Sequence, residues 1–125
     1  MNIAIIGSRT FDNYELMKST VNNYVNQNDV EINCVVSGGA KGADTLAEKF
    51  ANEYDLETIV YKPDWGRLGR GAALARNTQI IDHSDIVFAF WNGTSTGTKD
   101  SITKAHKKNK IVVMVMVDEE TLEIA

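Results

Sequence analysis

The sequence predicts an α/β fold in which a five-stranded parallel sheet lies between two layers of helices. Five short apolar runs, rich in Val, Ile and aromatic residues, recur along the chain. Each run is continuous rather than alternating, as expected for strands that are covered on both faces. Segments with helical spacing separate the runs, and this alternation is typical of βαβ units. The runs are residues 3–6, 34–36, 58–61, 86–91 and 111–117.

Right-handed crossovers then give a three-layer αβα sandwich, and we expect the strand order 3-2-1-4-5, the half-Rossmann arrangement. The first helix is predicted to begin at Asp12, with Glu15 three residues on in a pattern similar to a capping box. The second covers residues 42–54, where apolar side chains recur at helical spacing. The third is expected over residues 71–83 and the fourth over residues 98–108.

The size and composition of the chain favour one domain. Its 125 residues, 43% of them hydrophobic, are enough to form a hydrophobic core that needs no disulfide cross-links. We expect residues 1–125 to form that domain, with residues 118–125 as a mobile tail or an extra edge strand. The single cysteine excludes an internal disulfide, and no apolar run approaches the ~20 residues of a membrane helix. With no basic leader visible, a soluble cytoplasmic protein without membrane contact is expected.

The charge balance bears on the choice of partner. The chain carries 13 Lys and Arg residues against 17 Asp and Glu residues, a net charge of −4. Dedicated nucleic-acid binders usually carry a basic excess, so this balance disfavours nucleic acid as a partner. It leaves room for a small anionic ligand, because the local charge decides that binding.

Glycine and arginine are concentrated just after the predicted strands. Ligands of open parallel sheets bind at the carboxyl ends of the strands. Glycine allows close backbone approach there, helix N-termini offer free N–H groups, and arginine matches phosphate or carboxylate. We therefore favour an anion site at this edge over the alternative of ordinary glycine-containing turns. The residues are Gly7, Gly38, Gly39, Gly42, Gly66, Gly69, Gly71, Gly93 and Gly97, with Arg9, Arg67, Arg70 and Arg76.

Two polar motifs follow the first two strands. Gly-Ser-Arg at residues 7–9 supplies a hydroxyl and a guanidinium that suit a phosphate. Residues 37–44 open the second helix and have the composition of a phosphate cradle, but they lack the Gly-Lys-Ser/Thr of a Walker A loop. The second strand ends in Ser37 rather than in the acidic residue that would hold an NAD ribose. Dehydrogenase chemistry is therefore disfavoured.

Two further motifs follow the third and fourth strands. Residues 64–71 place two arginines and Trp65 in a glycine-rich loop, a combination that indicates phosphate binding with base stacking. Trp91 stacks on a base or closes the core, and we favour the core. Residues 92–98, with four hydroxyls, two glycines and an amide, form a neutral cradle for an oxyanion. A flexible surface loop is the alternative for that segment.

The predicted ligand-binding residues share the carboxyl edge of the sheet. Arg76 and Asn77 are included because they lie one turn into the third helix on a polar stripe. The set is Gly7, Ser8, Arg9, Ser37, Gly38, Gly39, Gly42, Asp44, Asp64, Trp65, Arg70, Arg76, Asn77, Asn92, Gly93, Thr94, Ser95, Thr96, Gly97 and Thr98.

Catalytic candidates are fewer. Asp44, Asp100 and Arg76 are the candidates if the protein catalyses a reaction, with Asp64 as a further carboxylate. Asp44 either complements the helix dipole or accepts a hydrogen bond from a ribose hydroxyl.

Neither a metal ion nor a cofactor is predicted. His83 and His106 have no metal-ligand spacing with Cys34, which lies within a strand and is expected to be an inert small hydrophobe. The sequence contains no recognisable Ser-His-Asp arrangement.

The four motifs, in this order, resemble the YspA-like branch of the SLOG superfamily, which joins DNA-processing protein A (Smf) and the LOG enzymes. They are Gly-Ser-Arg, Gly-Gly-Ala-Lys-Gly-Ala-Asp, Asp-Trp-x-x-x-Gly-Arg followed by Arg-Asn, and Gly-Thr-x-x-Gly-Thr-x-Asp. The resemblance covers residues 3–117. It implies a Rossmann-like fold that binds nucleotides or nucleotide-derived molecules.

The resemblance to LOG enzymes is incomplete. Those enzymes cleave the N-glycosidic bond of nucleoside monophosphates, and their signature Pro-Gly-Gly-x-Gly-Thr-x-x-Glu ends in a catalytic glutamate. That position falls on Ser101 here, and Asp100 lies one residue early. The departure leaves the phosphate cradle intact but puts the hydrolysis in question. The DNA-processing relatives bind single-stranded DNA, an activity that the negative net charge disfavours here.

The leading hypothesis is a sensor or sequestering protein whose partner is a nucleotide-derived small molecule. The alternative is a LOG-type phosphoribohydrolase, and single-stranded DNA binding ranks third. The apolar last strand, predicted at the sheet edge, also favours a homo-oligomer.

Overall fold

The sheet of this protein has five parallel strands in the order β3-β2-β1-β4-β5, as the sequence predicts. It is seen in a computed structural model that describes residues 1–117, so the prediction for residues 118–125 lies outside the described part. The strands are β1 (Asn2–Gly7), β2 (Cys34–Ser37), β3 (Glu57–Val60), β4 (Ile86–Trp91) and β5 (Ile111–Met116).

The helices differ from the predictions mainly at their starts. They are α1 (Tyr14–Asn28), α2 (Ala43–Glu53), α3 (Trp65–Leu68), α4 (Ala72–His83) and α5 (Thr96–Lys107). The prediction that Asp12 begins the first helix is wrong, because Asn13 is the cap and its side chain accepts a hydrogen bond from the Leu16 N–H at 3.0 Å. The fourth predicted helix begins two residues early, after its Ser95 cap.

The glycine-rich segment after β3 is helical rather than an open loop, which corrects the prediction for residues 64–71. Asp64 caps α3 by accepting the Arg67 N–H at 3.1 Å, and a 3-10 turn over Gly69–Gly71 leads into α4. A short side-chain cap was enough to nucleate this turn despite the glycines. All residues of the segment are exposed.

The core has two halves, one on each face of the sheet. Ile3 and Ile5 of β1 pack with helices α1 and α2 on one face, and Ala4 and Ile6 pack with α4 and α5 on the other. This division follows from the period of two along a strand. It explains why the strands are apolar throughout.

The strand order reverses between β1 and β4. Helix α1 follows β1 onto one face of the sheet and α5 follows β4 onto the other, so the two loops diverge and leave a crevice at the carboxyl ends of these strands. This is where open α/β sheets bind their ligands.

Strand β5 is an edge strand of the sheet, next to β4, and its exposed apolar side chains are Ile111, Met114 and Met116. The homo-oligomer expected from this apolar edge stays a prediction. Among residues 1–117, no helix has the length and apolar character needed to cross a membrane.

Candidate functional site

A cavity of about 830 Å³ occupies the crevice between β1 and β4. The loops after β1, β2 and β4 and the first turns of α4 and α5 form its walls. Its volume lies within the range of about 300–1,000 Å³ that is common for small-molecule sites. The lining residues are Ile6, Gly7, Ser8, Arg9, Thr10, Ala40, Lys41, Asp44, Arg70, Ala73, Leu74, Arg76, Asn77, Ile80, Asn92, Thr94, Ser95, Thr96, Gly97, Thr98 and Ser101.

Ser8 joins the two loops that flank the crevice. Its N–H donates to the carbonyl oxygen of Phe90 at 3.1 Å, and its hydroxyl oxygen accepts the N–H of Asn92 at 3.3 Å. A Cβ at Gly7 would lie 2.9 Å from the Cβ of Ala43, so only glycine lets β1 pass this close to α2. At the base of the cavity, the loop after β1 is therefore bonded to β4 and its following loop, and β1 packs closely against α2.

The loop after β2 is shaped by two residues that do not line the cavity, Gly42 and Ser37. Gly42 has φ +77°, and a Cβ there would overlap the carbonyl oxygens of Ser8 and Arg9. Ser37 is fully buried, and its hydroxyl accepts the Gly39 N–H at 3.3 Å. These residues bring Lys41 and Asp44 to the cavity wall.

Asp44 and Arg76 carry opposite charges beside Gly38. Arg76 donates to the carbonyl oxygen of Gly38 at 2.7 Å, and the Asp44 carboxylate accepts the N–H of Ala40 at 3.0 Å. Burial raises the pKa of Asp44 above its usual 3.8, while the Ala40 N–H and Arg76 oppose that rise. Burial likewise lowers the pKa of Arg76, and Asp44 opposes the change. Each group compensates much of the other's charge.

A second chain of polar contacts connects α4 to α5. The Arg76 Nε donates to the side-chain oxygen of Asn77 at 3.0 Å, and the Asn77 amide donates to Asp100 at 3.2 Å. Lys104 pairs with the same Asp100 oxygen at 2.9 Å and donates to the carbonyl oxygen of Leu74 at 2.8 Å. Asp100 is thus held beneath the wall and is not among the lining residues.

The loop before α5 is organised by its own side chains. The Asn92 side-chain oxygen accepts the N–H groups of Thr94 and Ser95, both at 2.9 Å. The Ser95 hydroxyl accepts the Thr98 N–H at 3.4 Å as the helix cap. The N–H groups of Thr96 and Gly97 have no acceptor inside the helix, because they belong to its first turn. They are the groups available to an anion at this end of α5.

The segment around α3 contributes only one residue to the cavity. Arg70 lines the rim, whereas Arg67 does not. Trp65 is 56% exposed and also lies outside the cavity wall. Trp91 is half-buried, packs against the core and donates its Nε1–H to the carbonyl oxygen of Ser95 at 3.0 Å.

The structure therefore gathers part of the predicted ligand-binding set. Thirteen of those residues line the cavity: Gly7, Ser8, Arg9, Asp44, Arg70, Arg76, Asn77, Asn92, Thr94, Ser95, Thr96, Gly97 and Thr98. Seven do not line it: Ser37, Gly38, Gly39, Gly42, Asp64, Trp65 and Gly93.

Several lining residues escaped sequence reasoning. Lys41 lies within a motif that the sequence marks, and its charge was signal enough to include it. Thr10, in the loop after β1, had no comparable signal. Ser101, Ala73 and Leu74 had none either, because only the packing of α4 and α5 brings them to the wall.

The histidines and the cysteine lie elsewhere. His83 hydrogen-bonds through Nδ1 to the Tyr61 hydroxyl at 2.6 Å, and Cys34 is free and buried. Burial raises the pKa of the Cys34 thiol, as expected for an inert small hydrophobe. Within residues 1–117, no three His, Cys, Asp or Glu side chains are grouped to hold a metal ion.

Comparison with known families identifies this arrangement. Residues 1–68 match the model of the YAcAr family, described as the YspA, cpYpsA-related SLOG family. The chain belongs to this SLOG family. The resemblance inferred from the four motifs is thereby confirmed, and a ligand-binding function for this SLOG chain agrees with it.

Proteins similar to this SLOG chain include a phage protein and two bacterial proteins of known structure. The Gene 61 protein of Mycobacterium phage D29 is 32% identical over 79 residues, which are 58% of this chain and 63% of the phage protein. The chain thus spans less than two thirds of that relative.

Both solved structures are of DNA processing protein A. The protein from Helicobacter pylori, described for its single-stranded DNA binding mode, is 24% identical with a TM-score of 0.69, covering 99% of this chain and 72% of that one. The protein from Streptococcus pneumoniae is 20% identical with a TM-score of 0.71, covering 94% and 51%. At these identities the likeness establishes the fold.

The prediction that nucleic acid is disfavoured as a partner is wrong. The same fold occurs in a protein described for binding single-stranded DNA, so a negative net charge is no ground for exclusion. The physical reason lies in the distribution of charge. The net charge of −4 is an average over the chain, whereas four basic side chains and one acidic side chain are found among the described residues that line the cavity.

Proposed function

We propose that the cavity binds a nucleotide or nucleotide-derived molecule through its phosphate, and that the protein acts as a sensor or sequestering protein. The observation that carries the proposal is the convergence of Arg9, Lys41 and Arg70, from three separate segments, on the cavity that also holds the first turn of α5. Arg76 also lines the cavity, but its guanidinium already donates to the Gly38 carbonyl oxygen and to the Asn77 side chain, so the proposal rests on the other three cations.

The chemistry of this wall suits a phosphate in particular. The N–H groups of Thr96 and Gly97 and the positive end of the α5 dipole favour an anion. Arginine adds a planar fork that matches phosphate oxygens. Because Asn92 and Ser95 already order the loop, little ordering remains to oppose binding.

The contacts of the carboxylates favour binding over LOG-type hydrolysis. Such cleavage needs a carboxylate beside the anomeric carbon. Asp100 is paired with Lys104 and Asn77, Asp64 caps α3, and Asp44 accepts a main-chain N–H. Chromatography after long incubation with nucleoside monophosphates is expected to find no free base, and steady release of base would overturn this point.

A thermal-shift and calorimetric titration with nucleoside mono-, di- and triphosphates, NAD and ADP-ribose tests the binding proposal. A ligand at about 100 times its Kd stabilises the protein by about 2.7 kcal/mol, a shift of several degrees. Arg70→Ala is expected to weaken binding roughly tenfold. Arg67→Ala is the matched control, since Arg67 lies three residues away and outside the cavity wall. Absence of binding at millimolar concentrations would reject the proposal.

Single-stranded DNA is a second candidate ligand, supported by the exposed surface of α3. Trp65, Arg67 and Arg70 lie together on one exposed segment at the rim. Proteins that bind single strands combine such basic groups with aromatic side chains on which bases stack. The fold is shared with DNA processing protein A, which gives the candidate its precedent.

Oligonucleotide titrations separate the two candidates. If DNA is the ligand, Arg67→Ala and Arg70→Ala both weaken binding, Trp65→Phe abolishes a quench of tryptophan fluorescence, and affinity falls steeply with salt. If a free nucleotide is the ligand, Arg70→Ala weakens nucleotide binding, whereas Arg67→Ala and Trp65→Phe leave it unchanged. The second candidate would be excluded if all variants bound the oligonucleotide with the same affinity and that affinity did not change with salt concentration.

A further inference from the structure

The cavity wall is mostly polar, but helix α4 adds apolar side chains to it. The loops after β1 and β4 present hydroxyl, amide and guanidinium groups, whereas α4 presents the apolar Ala73, Leu74 and Ile80 beside the polar Arg76 and Asn77. Leu74 is 49% exposed although it is a large apolar side chain. An apolar side chain that lines a cavity and is left half in water is available to cover an apolar part of a ligand.

The position of Leu74 is set by its neighbours and not by the core. Helix α4 packs on the sheet through Ile80 and Ile81, so Leu74 contributes little to that packing. Its carbonyl oxygen accepts hydrogen bonds from Lys104 at 2.8 Å and from the Thr78 hydroxyl at 3.2 Å. These bonds fix the main chain of α4 while the side chain stays at the wall.

Leu74 also lies between two of the polar groups of the site. Arg70 is four residues before it, in the 3-10 turn that leads into α4, and Asn77 is three residues after it in α4; all three line the cavity. A ligand held by Arg70 through a phosphate therefore has the Leu74 side chain one helical turn away. That distance suits the ring of a nucleoside, which is joined to its phosphate through a single sugar.

We propose that Leu74 and Ala73 form the subsite for a flat, apolar ring, so that the cavity selects a phosphate attached to a nucleobase over inorganic phosphate or a sugar phosphate. This inference rests on the proposed function, since it presumes that the cavity holds a phosphate. The shared chemistry is a base joined to a sugar phosphate, which a free nucleotide and a residue of single-stranded DNA both supply.

Calorimetry with three ligands tests the subsite: adenosine monophosphate, ribose 5-phosphate and inorganic phosphate. Leu74→Ala and the similarly sized but polar Leu74→Asn are expected to weaken binding of the nucleotide about three- to tenfold while changing binding of the two ligands without a base less than about twofold. Leu68→Ala is the matched control, because Leu68 is 45% exposed and lies outside the cavity wall. A short oligodeoxynucleotide in place of the monophosphate distinguishes the two sources of the base.

The outcomes separate the inference from the function on which it rests. Equal losses for all three ligands, or a nucleotide affinity unchanged by both Leu74 variants, would overturn the ring subsite and leave phosphate binding in place. Binding of none of the ligands by the wild-type protein would overturn both. Circular dichroism spectra that match wild type exclude unfolding of α4 as the cause of a loss.

Discussion

Arg76 donates a hydrogen bond of 2.7 Å to the main-chain carbonyl oxygen of Gly38, across 38 residues of sequence. The bond ties α4 to the loop after β2, and a Cβ at Gly38 would overlap the guanidinium that makes it. An arginine that the sequence offers as a ligand-binding or catalytic group thus also has a structural partner. The contact defines one wall of the cavity before any ligand arrives.

Arg76→Ala is therefore expected to destabilise the fold. It removes the donor to Gly38 and leaves the Asp44 carboxylate without its main compensating charge, a loss of about 1–3 kcal/mol for a partly buried group. Urea denaturation measures the change. The exposed Arg70→Ala should stay within about 0.5 kcal/mol of wild type. The double variant Arg76→Ala/Asp44→Ala should lower the free energy of unfolding by less than the sum of the two single variants, since the two charges compensate each other.

The pKa of Asp44 gives the stability a defined dependence on pH. Burial raises this pKa above 3.8, so the folded protein holds the proton more tightly than the unfolded chain does. As the pH rises from 3.8 through the folded pKa, the contribution of Asp44 to the free energy of unfolding falls. Asp44→Asn lacks this proton, so its stability minus that of wild type should increase over that window and then level off. A flat or decreasing difference in urea midpoints would contradict the assignment.

Asn92 is expected to act on ligand binding by ordering the loop before α5. Asn92→Ala removes the oxygen that accepts the N–H groups of Thr94 and Ser95. Ordering then has to occur on binding, and we expect phosphate-containing ligands to bind about tenfold more weakly, or about 1.4 kcal/mol. Calorimetry gives the affinity. Asn22→Ala removes an amide that donates to the Tyr54 hydroxyl outside the cavity wall, so this variant should bind ligand as wild type does.

Gly42 and Gly71 make a matched pair for backbone conformation. Gly42 has φ +77° and ψ −125°, and an added Cβ would overlap two carbonyl oxygens, so Gly42→Ala should cost at least about 2 kcal/mol. Gly71 has φ −81° with open space where a Cβ would stand, and Gly71→Ala should be neutral or stabilising by up to about 1 kcal/mol. Thermal unfolding of both variants checks the contrast, and equal losses would contradict it.

The architecture, and the edge of the sheet at which the cavity lies, follow from the amino-acid sequence alone. Continuous apolar runs, helical spacing and the placement of glycine and arginine are local properties, and the topological rules for parallel sheets convert them into the order 3-2-1-4-5. The position of the cavity at the carboxyl ends of β1 and β4 follows from that order. Even the turn at α3 had a local cause, the Asp64 cap, although the glycines around it favoured an open loop.

Which polar groups face the cavity and which support its walls depends on how the helices and strands pack together. The sequence predicts the same role for Arg9 and Arg76, but Arg76 donates to the Gly38 carbonyl oxygen and the Asn77 side chain. Ser37, predicted to bind ligand, is buried and does not line the cavity. The exposure of Leu74 at the wall could not be read from the sequence either. A side chain's role depends on its neighbours in space, and those neighbours come from segments that meet only when the sheet and its two helical layers have assembled.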